Sequence, residues 1–138
     1  MYTVPVTIKK SSINGKGVFA EVPIKNGEIV WKFKPGYDIT LNQSKYNALD
    51  LHEKERLSHV AYFSPWTKRW VYPPEGDAAE YTNHSPNNNL TVVFDKSVSP
   101  EPYFVANRDI VSGEELTNNY LEFDAITQKE RPKWVQLS

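Results

Sequence analysis

Short apolar runs, broken by glycine, proline and asparagine, dominate the first forty residues. Val, Ile and Thr within residues 2–9 predict a strand, and Pro5 assigns it to a sheet edge because proline lacks a ladder donor. Asn14-Gly15-Lys16-Gly17 reads as a tight turn, after which Val18-Phe19-Ala20 resumes an extended path. Lys25-Asn26-Gly27-Glu28 is a hairpin-type turn into a strong strand, Ile29-Val30-Trp31-Lys32-Phe33, which Pro35-Gly36 ends. Over residues 42–62 the period changes. Tyr46, Leu49, Leu57 and Val60 keep a rough helical spacing among Glu53, Lys54, Glu55 and Arg56, with a break that predicts one kinked helix or two short ones. Extended segments return at 66–74, 91–94 and 103–106, and Val111-Ser112-Gly113-Glu114 turns into Glu115-Leu116-Thr117. The tail from Gln128 is polar apart from Trp134 and Val135. Many short strands with frequent turn signals and one helical insertion predict a mainly β chain.

Length then bounds the organisation: 138 residues, without repeats or an obvious linker, predict one domain over 1–138. Charge narrows the partners. Sixteen Lys and Arg against seventeen Asp and Glu leave a net charge of −1, which gives no footprint for nucleic acid or an anionic membrane. No run approaches eighteen apolar residues and the first ten residues lack a signal-peptide core, so the expected location is cytoplasmic. With no cysteine there is neither a disulfide nor a thiolate metal site, and His52, His59 and His84 are too scattered for zinc, so no metal is expected. The 4 Trp, 8 Tyr and 6 Phe are enough to build a core and line a pocket as well.

Candidate chemistry begins in Ala79-Glu80-Tyr81-Thr82-Asn83-His84-Ser85-Pro86-Asn87-Asn88-Asn89-Leu90. Adjacent His84 and Ser85 would point to opposite faces of an extended chain, which disfavours a base–nucleophile pair. Three glycosylation sequons, at Asn42, Asn83 and Asn89, are better read as chance in a chain without secretory features. Gly15-x-Gly17 lacks both the third glycine of a dinucleotide fingerprint and the Lys-Ser/Thr of a phosphate loop, though its bare backbone permits close approach of a ligand.

Taken in order, GKGVFA at 15–20, NHS at 83–85 and A-x-R-D-I-x-x-G-E-E-L-T-x-x-Y at 106–120 resemble the SET domain of protein lysine methyltransferases. The resemblance covers about residues 6–123, with a helical insertion at about 41–62 and a tail at 124–138. It is closer to the short stand-alone proteins of bacteria and viruses than to the chromatin enzymes. It implies a β-clip fold of several small sheets with a C-terminal pseudoknot, and S-adenosyl-L-methionine as cofactor. The partner it implies is a protein substrate presenting a lysine; the number of methyl groups added and the oligomeric state stay open. By motif position, Asn14, Gly15, Lys16 and Gly17 would put backbone against the cofactor, and Asn83 and His84 would hold its amino and adenine ends. Tyr120 would be the catalytic tyrosine, also touching the cofactor, and Tyr62 would be an aromatic cofactor contact. Trp134 is a candidate to stack on the adenine or to anchor the core. Tyr81 and Phe123 are candidates for the substrate channel or for the core. Asn118 stands two before Tyr120, where some relatives carry an aromatic residue, and Asn89 would support the loop. The zinc module of many eukaryotic relatives is missing with the cysteines. Loss of catalysis, leaving a SET-fold binding module, is the main alternative, and a small β-rich carbohydrate- or peptide-binding protein is the second.

Overall fold

The computed structural model describes residues 1–130; Trp134 lies outside the described residues. Among the described residues ten short strands form three small sheets, as the alternation of apolar runs and turn residues predicts. β1 (Val6–Lys10) and β2 (Lys16–Ala20) make an antiparallel hairpin closed by the Asn14-Gly15 turn, where Gly15 takes φ +48°. β1 is the edge strand that Pro5 requires. Ahead of it, Tyr2 makes an isolated antiparallel bridge to Trp31.

The four-stranded sheet runs β1-β2-β10-β7, with β7 (Asn83–His84) and β10 (Glu115–Asn118). β10 is antiparallel to β2 and parallel to β7, so the last strand of the chain fills the space between two earlier ones. That insertion is the arrangement on which the expected pseudoknot depends. β3 (Ile29–Trp31), β8 (Leu90–Val93) and β9 (Tyr103–Ala106) form the second sheet with β9 central. In the third, β6 (Trp70–Tyr72) lies between β4 (Ile39–Leu41) and β5 (Tyr62–Phe63) and is buried throughout.

The helical insertion is two short helices. α1 (Gln43–Asn47) starts at Asn42, whose side chain accepts from the Lys45 N–H at 2.8 Å, and α2 (Leu51–Val60) starts likewise at Asp50 on Glu53. Only Leu57 of α2 is fully buried, consistent with the weak periodicity of the segment. α3 (Ala125–Glu130) follows the last strand. Among the described residues no helix is long and apolar enough to cross a membrane.

One sequence expectation fails in its pairing. The Lys25–Glu28 turn forms, with Gly27 at φ +88° and the Glu28 N–H on Lys25 O at 3.0 Å, but its arms do not pair with each other. β2 goes to β1 and β10, whereas β3 goes to β9. Pro23 removes a ladder donor from the incoming arm, and Ile24 instead bridges Ile110 while the Gly27 N–H donates to Ala106 O at 2.7 Å. The core where the sheets meet holds Val18, Ile24, Val30, Val71, Leu90, Ile110 and Leu116, all essentially sealed from solvent, together with Phe104 and Phe123.

Candidate active site

β7 is only two residues long, yet with the preceding Thr82 it faces two different environments. On one side lies the β1–β2 turn. The Asn83 amide Nδ2 donates toward Asn14 O at 3.2 Å, Lys16 O at 3.1 Å and Glu115 Oε2 at 2.9 Å. All three partners are pure acceptors, so the atom facing them is the nitrogen, and Oδ1 is left as an acceptor with no hydrogen bond among the described residues. Glu115, at the start of β10, also takes the Ser11 hydroxyl at 2.7 Å, and Ser11 Oγ in turn accepts the Ile13 N–H at 2.9 Å. One carboxylate thus ties the turn, β7 and β10 together.

The two glycines of the turn differ. A Cβ on Gly15 would meet no atom of the described residues within 4 Å, which leaves the space above it open among them. A Cβ on Gly17 would overlap the Glu115 carboxylate, falling 2.8 Å from its Cδ and 3.1 Å from Ser11 Cβ. Gly17 therefore has a packing reason to be glycine whatever else it does.

Asn89 buttresses the same region from behind. It is buried, its Oδ1 accepts the Thr117 N–H at 2.8 Å, and its Nδ2 donates to Glu115 O at 2.8 Å and Glu114 Oε2 at 3.0 Å. Every polar atom of the side chain is used, which fits the supporting role expected of it. Asn88 Nδ2 holds Leu90 O and Glu122, at 2.9 and 3.1 Å.

On the other side lies Tyr120, at the start of a 3-10 turn (Tyr120–Glu122) that ends β10's run. Its backbone N–H donates to His84 Nδ1 at 3.1 Å, which puts the neutral imidazole's proton on Nε2. Its hydroxyl donates to Thr82 O at 3.0 Å. Having given its only hydrogen to a carbonyl, the phenol can meet a further partner only as an acceptor. Burial, and then the charge of Asp124, push the Tyr120 hydroxyl up to about 12, so it keeps its proton at neutral pH.

Tyr120 lines a cavity of about 150 Å³ whose wall combines aromatic rings, Trp31, Tyr62, Phe104 and Phe123 among them, with the acidic residues Glu80 and Asp124. Phe123 is the hub, edge-on to Phe104 at 4.9 Å, Tyr62 at 5.1 Å and Tyr120 at 5.6 Å. Burial raises the Tyr62 hydroxyl well above its ordinary range. Three buried polar atoms on cavity-lining residues, Trp31 Nε1, Tyr62 Oη and Asn118 Oδ1, have no hydrogen-bond partner among the described residues. Together with Glu80 and Asp124 in the same lining, such atoms favour a polar guest.

The sequence-derived candidates separate accordingly. Asn14, Gly15, Lys16, Gly17 and Asn83 gather at the turn, and His84 and Tyr120 sit at the junction. Phe123 belongs to the hydrophobic core and also lines the cavity, and Tyr62 stands beside it on the wall. Tyr81, a candidate for channel or core, is not among the residues lining this cavity; the 3-10 turn Ala78–Tyr81 packs it against the hydrophobic core. Glu115, Ser11, Thr82 and Tyr2 carry contacts that motif reading did not assign. Glu115 stood inside a quoted motif, whereas the other three carry no local signal.

This geometry can be set beside known proteins. The SET domain family matches residues 15–121, about three quarters of the chain. No match was found among curated proteins. Among solved structures, a provisional histone methyltransferase of Plasmodium falciparum is 20% identical with a TM-score of 0.55, over 83% of this chain and 91% of that one. A humanized Polycomb Repressive Complex 2 from Chaetomium thermophilum, bound to an inhibitor, is 24% identical with a TM-score of 0.61. An apo form of the complex with two Ezh2 substitutions is also 24% identical, with a TM-score of 0.64. The last two likenesses cover 91% and 94% of this chain but only 16% of those chains. At these identities the likeness establishes the fold, a mainly β arrangement of small sheets. With the family match over most of its length, the chain belongs to the SET domain family.

Proposed function

We propose that the protein is an S-adenosyl-L-methionine-dependent protein lysine N-methyltransferase. The observation that carries this reading is the convergence on residues 82–84, which tie the glycine turn on one side to the Tyr120 cavity on the other. A donor and an acceptor of a methyl group have to meet across such a junction.

The residues present fit the cofactor. Open space over Gly15, bare turn backbone and the acceptor Asn83 Oδ1 suit an amino-acid moiety with its ammonium group. When bound, the cofactor supplies a methyl group activated on a sulfonium. Asn14, Gly15, Lys16 and Gly17 would hold its amino-acid part by backbone, Asn83 its ammonium, and His84 its adenine end. Tyr62 as a cofactor contact and Trp134 as an adenine stacker belong to the same reading.

The chain's own residues then have three tasks. The rings of Phe123, Tyr62, Phe104 and Trp31 limit water around a lysine side chain, and Asp124 in the same lining would attract its ammonium before the proton is lost to solvent. Tyr120, held by Thr82 O and His84, presents an oxygen that accepts an amine N–H or a polarised methyl C–H and fixes the line of approach. Its protonated state at neutral pH argues against a phenolate base, and in-line displacement by a neutral amine needs none at hydrogen-bond distance. Unpartnered Asn118 Oδ1 offers the amine a second acceptor.

Calorimetry with S-adenosyl-L-methionine tests the first half: saturable binding is expected, and no heat at millimolar cofactor would overturn the reading. Transfer of labelled methyl into a lysate tests the second. There Tyr120→Phe is expected to lose roughly 100-fold or more in rate while cofactor affinity holds. A catalytically inactive SET-fold module would bind cofactor and transfer nothing.

A further inference from the structure

We propose that Tyr2 is a positioning residue for methyl transfer, acting on Tyr120 through Thr82. The inference rests on the methyltransferase reading for its functional meaning, but the contact chain itself is a property of the fold.

Two tyrosine hydroxyls, from opposite ends of the chain, converge on one residue. Tyr2 Oη lies 2.6 Å from Thr82 Oγ1, and Tyr120 Oη donates to Thr82 O at 3.0 Å. Thr82 is the C-cap of a 3-10 turn whose closing bond, its N–H to Ala79 O, is long at 3.3 Å. The turn therefore holds Thr82 weakly, and the side-chain bond to Tyr2 supplies a second restraint. Tyr2 is itself well anchored. It bridges Trp31, and the next residue donates its N–H to Val30 O and its hydroxyl to Ile29 O, both at 2.8 Å. The ring packs on the core and lines the same cavity as Tyr120. Tyr2 precedes the segment that the family match covers.

What this anchorage fixes is a carbonyl. The direction of Thr82 C=O sets where the Tyr120 O–H points, and hence where its acceptor lobe faces within the cavity. Displacements of about 1 Å from a productive geometry can cost about 100-fold in rate, so a fraction of that shift is measurable. Burial raises both phenols, so neither bond is lost by ionisation near neutral pH. If Tyr2 were only a core filler, its ring would matter and its hydroxyl would not.

The test removes hydroxyls without removing volume. With S-adenosyl-L-methionine and recombinant histones as acceptor, Tyr2→Phe and Thr82→Val are each expected to lower kcat roughly 5- to 10-fold. KM for both substrates and the melting temperature should stay near those of the parent. Thr82→Ser should recover most of what Thr82→Val loses, and the double variant Tyr2→Phe/Thr82→Val should be no slower than either single one. A parallel readout needs no turnover. In protein labelled with carbon-13 at the tyrosine ζ position, Tyr2→Phe should move the Tyr120 resonance, identified by its loss in Tyr120→Phe. If that resonance moves but the parent protein transfers no methyl to any acceptor, the methyltransferase reading fails while the Tyr2–Thr82–Tyr120 chain stands. A Tyr120 resonance and a rate both unchanged in Tyr2→Phe, or a rate loss that tracks a fall in melting temperature, would overturn the proposal.

Discussion

The two sides of β7 are built from opposite materials. Toward the β1–β2 turn, order comes from short polar side chains: Ser11, Asn83, Asn89 and Glu115 exchange hydrogen bonds of 2.7 to 3.2 Å with one another and with backbone. Toward the cavity, order comes from edge-on aromatic rings 4.9 to 5.6 Å apart, and three buried polar atoms there have no partner among the described residues. A hydrogen-bonded network of this kind fixes the shape of the turn while leaving Asn83 Oδ1 as a spare acceptor. A lining rich in aromatic rings limits the access of water instead. The contrast teaches that a polar framework and an aromatic cavity share residues 82–84 as a common wall, which under the proposed function would separate recognition from chemistry.

The largest expected effect tests the aromatic side. Phe123→Ala removes the hub of three edge-on contacts from a nearly sealed position and is expected to destabilise the protein by about 3–5 kcal/mol. Denaturant titration reads it. A cost under about 1 kcal/mol would mean that the rings do not form one packed unit.

The counterpart on the polar side is Asn89→Ala. It leaves the Thr117 N–H and Glu115 C=O without their partner in a buried setting, for an expected loss of about 2–3 kcal/mol by the same measurement. If Asn89→Ala proves harmless, water replaces the amide there and the polar side is looser than its hydrogen bonds indicate.

This contrast also explains what the sequence discloses. Tyr103–Ala106 is legible as a strand because its signal is local, a run of aromatic and β-branched residues. The Asn-Gly turn at 26–27 is legible too, but its strands' partners lie some eighty residues away, where no turn rule reaches. Asn14 to Gly17, Asn83 and Tyr120 carry recognisable motifs. Glu115 is visible in a motif, yet only packing shows that its carboxylate occupies the place of a Gly17 side chain. Tyr81 and Tyr62 look alike in the sequence and both pack against the core, and only the third dimension brings Tyr62 to the cavity wall as well. The Tyr2–Thr82 bond spans eighty positions and has no signature at all.

Alkaline pH should act on the aromatic side first. The folded-state value of Tyr120 is raised from 10 to about 12, and burial raises Tyr2 and Tyr62 as well. For a raised group the folded form holds its proton more tightly than the unfolded one. Its stabilisation is therefore complete below about pH 10 and lost as the pH climbs toward 12. Denaturant midpoints should thus fall steadily above pH 10, and Tyr120→Phe should make that fall shallower. A flat profile from pH 9 to 11.5 would show that these phenols reach solvent.

Gly17→Ala sharpens the comparison within the polar side. The added methyl has to displace a carboxylate pinned by Ser11 and Asn83, for about 1–2 kcal/mol of stability and a weakened turn.

Gly15→Ala carries the smallest cost in stability and separates the two roles of the turn most cleanly. Among the described residues no atom lies within 4 Å of the new methyl, so the penalty they impose is the left-handed backbone at φ +48°, about 1 kcal/mol. If the space above Gly15 is where the cofactor's amino-acid part lies, the same methyl occupies it. Cofactor affinity, measured by calorimetry, should then fall at least 10-fold, more than the stability loss accounts for. Gly17→Ala, whose methyl meets Glu115 inside the protein, should show the reverse balance, with unfolding affected more than binding. Equal ratios of binding loss to stability loss in the two variants would mean that the turn is only a structural hairpin and that the cofactor-facing side of β7 lies elsewhere.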